Sequence, residues 1–331
     1  MGTRGFAWGA GLMAALTMIQ SACGTAPPRQ VGEPAPATSL SVAPAGRLVS
    51  LGGSPEGIAV DQAGGLIAVA VRSPDAVVIL DRSGAIVRRI TLPSPARHLR
   101  FASPTGALLV PAERSQELIQ VDVESGTIAS SVKVGRQPHD AVASGDRVFV
   151  TNEFSDTVSV IEAGKVTASI PAPQQPGGIA ASDGELAVVG VRSHTLGLID
   201  ATSLARLATV AAGQGPTHVV GAPGGRFFVA DTAGNALLAF NTSPALRMIA
   251  RVPLAGTPYG LAIDPLHQRL FVTLTARNQV VEYDISGSLP TELRRTGTPR
   301  QPSSLAVDPA SGALFVTGTA DGVVQIVASF S

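Results

Sequence analysis

The chain has 331 residues, 24 basic against 24 acidic side chains, and 45% hydrophobic residues. That is ample material for a core, and it leaves no net field that would draw in nucleic acid. The one Trp (Trp8) lies in the N-terminal segment and there are two Tyr and one Cys. Few large rings therefore remain to stack a sugar or a quinone. A disulfide, a cysteine zinc site and a C-x-x-C-H haem attachment are excluded.

Residues 1–22 combine Arg4, an apolar run from Phe6 to Ile19, and small residues before Cys23. This is the grammar of a secretory signal, and the run is too short for a comfortable membrane span. Ser21-Ala22-Cys23-Gly24 matches a bacterial lipobox, with Gln20 where a Leu is usual. The expectation is export, cleavage and lipidation of Cys23, which anchors the chain to the membrane on the periplasmic or cell-surface side. Residues 23–46 hold the lipidated cysteine and a stretch rich in Pro, Ala, Gly and Ser, which predicts a semi-extended tether.

From residue 47 onward one unit repeats. Its mark is a proline just before a short apolar strand, at Pro55, Pro95, Pro138, Pro176, Pro216, Pro258 and Pro302, with spacings of 40, 43, 38, 40, 42 and 44. Each is followed by an apolar run, a polar loop and a second apolar run, as in Val148-Phe-Val-Thr-Asn…Val158-Ser-Val-Ile. Short Val- and Ile-rich runs bounded by Gly, Asp, Asn and Ser predict strands. In the first copy they fall at Ile58–Val60, Leu66–Val71, Val77–Leu80 and Ile86–Thr91. Four antiparallel strands every forty or so residues predict a propeller blade.

The seventh copy has room for three strands only, at Leu305–Val307, Ala313–Thr317 and Val323–Val327. The segment Arg47-Leu-Val-Ser-Leu reads as the missing outer strand. The fold class expected is all-β: a seven-bladed β-propeller over residues 47–331, with the N-terminal strand completing the last blade.

Val148-Phe-Val-Thr-Asn, Val158-Ser-Val-Ile-Glu and the recurrent G-x-x-P-x-x-hydrophobic-Ala opening resemble the YVTN repeat of YncE-like propellers. Phe or Leu replaces Tyr, and only the third copy keeps Val-Thr-Asn. The resemblance implies the architecture. Propellers of this shape include lactonases, streptogramin lyases and binding modules, so it leaves the activity open.

The prolines are placed in the connections between blades, so the residues after them should ring the mouth of the central channel. They include Glu56, Arg97, His98, His139, Asp140, His218 and Tyr259, which hold three of the five histidines. These seven are the candidate ligand-binding residues. The loops between the middle strands add Arg72, Glu113, Arg114, Asn152, Glu153, Arg192, His194 and Asp231 outside them. His267 falls on the opposite face.

No cofactor is required by any motif. His98, His139 and His218 are the candidate ligands should a divalent metal bind, since neutral imidazole suits transition metals. They belong to the second, third and fifth copies, and whether they converge is open. Adjacent strand residues point to opposite sides, which predicts that His139 and Asp140 do not pair. The residues favour a monomeric, membrane-anchored binding module for an unknown protein or small-molecule partner over an enzyme. A lactonase- or lyase-like use of the histidines, or an accessory role in envelope metal or redox handling, is the alternative.

Overall fold

The computed structural model describes residues 1–3, 5, 32–61, 63, 65–103 and 106–328. Apart from residues 1–3 and 5, the expected signal segment lies outside the described residues, and so does Cys23. Residues 31–331 form one compact unit, and everything below lies within it. Among the described residues no helix forms, and none is long and apolar enough to cross a membrane.

Seven four-stranded antiparallel sheets make the blades of a seven-bladed β-propeller. Blade 7 closes as expected. Its three C-terminal strands, Pro302–Asp308, Ala313–Gly318 and Val323–Val327, are completed by Arg47–Ser50, in register Arg47↔Ile326 to Ser50↔Val323. Leu51, 2% exposed, then packs with Ile58, Val78 and Phe315 between blades 7 and 1.

The middle strands are largely apolar, Ala76–Leu80 being buried at every position. Both faces of each blade are covered by a neighbour, which removes the polar alternation of a half-exposed sheet. Seven apolar layers result, one between each adjacent pair of blades. The core is therefore a ring of inter-blade seams around an open axis.

The outer strands of blades 1–6 share one irregularity. In blade 1, Ile79↔Arg88 is followed by Leu80↔Ile86, so Val87 is an extra residue, and the same shift recurs in blades 2–6. A bulge there breaks the row of backbone groups that an edge strand would offer to another chain.

Of the seven repeat prolines only Pro95 sits in a connection, between the strands Ile86–Thr91 and Arg100–Phe101. In six blades they lie within the inner strand, for example Pro138–Ser144 in blade 3 and Pro216–Ala222 in blade 5. A strand tolerates proline at its first residue, where no ladder donor is needed. Directly after the proline the register slips. Pro138↔Asn152 is followed by Ala141↔Val150, which lifts His139 and Asp140 out of the ladder. Blades 1, 4, 5, 6 and 7 slip at the equivalent place. Each bulge turns side chains toward the axis.

Part of the stretch expected to be tether is packed against the blades. Residues 33–45 lie on the disc as a strap. The Ala35 amide donates to Thr275 Oγ1 at 2.9 Å, Gln301 Nε2 donates to the Ala35 carbonyl at 3.2 Å, and Asn278 Nδ2 donates to the Thr38 carbonyl at 3.1 Å. Further on, Gln325 Nε2 donates to the Ala45 carbonyl at 2.8 Å. Composition signals that such a segment has no core of its own. It cannot signal that side chains of blades 6 and 7 will satisfy its backbone.

Candidate metal centre

The histidines of blades 2, 3 and 5 meet in the channel. Ring centroids lie 4.8 Å apart for His98 and His139, 4.7 Å for His98 and His218, and 6.1 Å for His139 and His218. One ring nitrogen from each falls within 4.8 Å of the others.

Blade 4 lets this happen. Its two channel positions are Gly177 and Gly178, so no side chain separates His139 from His218. A Cβ on Gly178 would stand 2.9 Å from His218 Cα, and one on Gly177 would stand 2.9 Å from the Thr217 carbonyl oxygen and 3.5 Å from His139 Nδ1. The glycines bring the neighbouring inner strands close and leave the space between the imidazoles open.

The rings are set up as ligands. His218 Nδ1 lies 3.0 Å from the carbonyl oxygen of Tyr259. A carbonyl only accepts, so Nδ1 carries the proton and Nε2 is left with its lone pair. That backbone hydrogen bond is the usual support of a metal-bound imidazole. Neither nitrogen of the buried His139 has a hydrogen-bond partner among the described residues. A buried polar group without a partner is costly and calls for an explanation. A coordinated ion would supply one, and three neutral imidazoles are a donor set for zinc, copper or nickel.

All three are held neutral. Burial pushes each imidazole well below its ordinary value of 6.5, helped by His139 for His98, by Arg97 for His139 and by His98 for His218. They are competent to bind metal near pH 7 without first losing a proton.

Above the histidines lies a charged collar. Arg72 Nε meets Glu56 at 2.9 Å, Arg72 Nη2 meets Glu113 at 3.1 Å, and Arg97 Nε meets Glu113 at 2.9 Å. Arg97 Nη1 reaches Glu33 of the strap at 3.2 Å. Glu33 and Pro34 thereby roof a pocket of about 60 Å³ whose wall includes Glu56, Arg97, His98 and Tyr259. Burial raises the Glu56 carboxyl, against the pull of Arg72, and raises the Tyr259 hydroxyl.

Asp140 has a different role. It turns away from His139, accepts hydrogen bonds from the amides of Ala141 at 2.8 Å and Ile179 at 3.2 Å, and lies 3.6 Å from Arg100 Nη2. It ties blade 3 to blade 4 beneath the cluster.

The structure thus places all seven sequence-selected residues at the channel. His98, His139 and His218 form the cluster, Glu56, Arg97 and Tyr259 the collar, and Asp140 the layer beneath. Of the loop residues, Arg72 and Glu113 join the collar. Asn152 instead donates to Ser159 Oγ at 2.9 Å inside blade 3, and Asp231 holds the amides of Gln214 and Gly215. His267 bonds Asp264 at 2.7 Å on the opposite face. Two residues escaped the sequence reading. Glu33 was hidden in a compositionally biased stretch. Arg100 had a signal: it is the one charged residue in a column otherwise filled by Ala59, Val142, Ala180, Val220, Ala262 and Ala306.

No protein-family model matches the chain, and no curated protein matches it in sequence. Its likeness is to solved structures. Hydrazine synthase of Kuenenia stuttgartiensis superposes with a TM-score of 0.76 at 18% identity, over 85% of this chain and 97% of that one. A streptogramin B lyase superposes with a TM-score of 0.72 at 14% identity, over 86% and 98%. A virginiamycin B lyase from Staphylococcus aureus gives 0.70 at 15% identity, over 85% and 98%. At these identities the likeness is one of fold, shared by enzymes and interaction scaffolds alike.

Proposed function

We propose that the chain is an exported, lipid-anchored binding protein of the YVTN-repeat type, whose channel mouth holds one divalent transition-metal ion on His98, His139 and His218. The observation that carries this reading is the meeting of three neutral imidazole nitrogens within 4.8 Å. The unpartnered nitrogens of His139 and the Tyr259 carbonyl behind His218 support it. The Ser21-Ala22-Cys23 signature supports the anchor.

Metal analysis of the purified chain tests the reading. One equivalent of metal is expected after exposure to zinc, cobalt, nickel or copper, and none in a His139→Ala, His218→Ala double variant. A wild-type protein that retains no metal, and melts at one temperature with and without these ions, would refute it. Mass spectrometry of the mature N-terminus tests the anchor, with a diacylglyceryl thioether expected on Cys23.

A catalytic use of the same ion is the second reading. It is favoured by Glu56, a carboxyl raised by burial in the wall of the small pocket that adjoins His98. A group of that kind suits general acid–base work on a lactone or a related ester. Turnover of lactones by metal-loaded protein, lost in Glu56→Gln with metal retained, would establish it.

A further inference from the structure

The inner strands start at the strapped mouth and run toward the face that carries His267. Below the histidines the channel widens into a cavity of about 350 Å³. Its side-chain lining is mostly aliphatic, Ile58, Leu99, Val220, Leu261 and Leu305 among them, with Phe101 and Ser103 beside them, and polar surface faces it as well. One charged group lines it, Arg100.

Arg100 is poorly satisfied where it stands. Its Nη2 makes long contacts, 3.4 Å to the Ile179 carbonyl and 3.6 Å to Asp140. Its Nε is buried with no hydrogen-bond partner. Asp140 already accepts from two backbone amides. A guanidinium placed only to neutralise Asp140 would close to a short bidentate pair. This one stays apart, beside the open channel, in a column where every other blade has Ala or Val.

An open channel lined mostly by apolar side chains, with one charged group beside it, has the elements of a small-molecule site. The charge selects the sign of the ligand and the wall selects its body. We propose that the lower channel is a second binding site, for a small amphiphilic carboxylate that enters from the face opposite the strap and sets its carboxylate on Arg100. The volume suits an unbranched acid of about eight carbons, the acyl chain lying along the aliphatic wall. The site is separate from the histidine cluster and does not depend on metal.

Calorimetric titration of the purified full chain with octanoate, in metal-free and metal-loaded form, tests this. Octanoate should bind both forms alike with a sub-millimolar Kd. Hexanoate should bind about tenfold more weakly, since each buried methylene contributes roughly a factor of three to four. Octylammonium should not bind. Arg100→Gln should weaken octanoate tenfold or more. Because that change leaves Asp140 without its cation, a second variant keeps the test clean: Ala306→Phe fills the channel with Arg100 intact and should abolish binding. Absence of octanoate binding at millimolar concentration would overturn the proposal, as would octanoate binding unaffected by Ala306→Phe. Octylammonium binding as well as octanoate, or undiminished octanoate binding in Arg100→Gln, would overturn the carboxylate class.

Discussion

His218 Nε2 and His98 Nε2 face one another at 3.0 Å across the channel. Because His218 gives its proton to the Tyr259 carbonyl through Nδ1, His98 must be the donor in this contact. The metal-free cluster is therefore held by one shared proton between blades 2 and 5. To present Nε2 to an ion, His98 moves that proton to Nδ1. Binding near pH 7 is then a tautomer change with no net proton release, which calorimetry in buffers of different ionisation enthalpy would check.

His139 makes no hydrogen bond through either ring nitrogen. In the metal-free protein His139→Leu should be neutral or stabilising by about 1–2 kcal/mol, because it removes an unsatisfied buried polar group at similar volume. The same variant should lose the rise in melting temperature that metal gives the wild type. Destabilisation of the metal-free form would show that the ring has a structural task instead.

Acid should weaken the metal-free fold early. The three imidazoles titrate well below 6.5 in the folded chain and near 6.5 when unfolded, so the unfolded state binds more protons just below that pH. Their contribution is complete above pH 6.5 and is lost as pH falls toward the folded values. Each can contribute up to about 1.4 kcal/mol per pH unit. Glu56 and Asp140, raised by burial, act in the opposite sense. Their effect runs upward from the ordinary carboxylate values of 4.5 and 3.8 to the raised folded values, so Glu56, Asp140 and the likewise raised Glu153 all offset part of the imidazole contribution between about pH 6.5 and 5, and a comparison with His139→Leu isolates the imidazole share. Urea melts across that interval should show stability falling more steeply, as pH drops, in the wild type than in His139→Leu.

Gly178→Ala should damage the site from within blade 4. The added Cβ would stand 2.9 Å from both His218 Cα and the Val219 nitrogen, which are backbone atoms that cannot rotate away. A loss of about 1–3 kcal/mol is expected, together with weaker metal binding as His218 is pushed off axis. Denaturant melts and metal titration of the variant read both effects.

The strap should act on rates. Deleting residues 24–40 removes Glu33 from Arg97 and the bonds at Thr275, Gln301 and Asn278. The blades should stay folded, because Arg47–Ser50 and Leu51 remain. Transfer of metal to a chromophoric chelator should become about tenfold faster or more, since opening no longer requires breaking several hydrogen bonds. An unchanged rate would mean that ions reach the histidines by another route.

The blades were legible in the sequence because each carries its own period and its own turns. The closing strand was legible because the seventh copy is one strand short, and Arg47–Ser50 pairs where that deficit required. The positions of His98, His139 and His218 in the channel followed from the same alignment. Their convergence did not. It rests on the register slips after Pro138 and Pro216, on the place of His98 just ahead of the short inner strand Arg100–Phe101, and on two missing side chains at Gly177 and Gly178, and these are visible only once the inner strands are set side by side. The strap was illegible for a different reason. Its anchors are Thr275, Asn278 and Gln301, about 240 or more residues away in sequence.

The pairing of Arg47–Ser50 with Val323–Val327 also determines how the molecule comes apart. A linear array of repeats has two free ends, and each can fray without disturbing its neighbours. Here the first strand of the chain belongs to the last blade, so the array has no end. Opening at any seam exposes both faces of an apolar layer and breaks the circle for all seven blades. Melting should therefore occur as a single transition, with hydrogen-exchange protection as high in blades 1 and 7 as in blade 4.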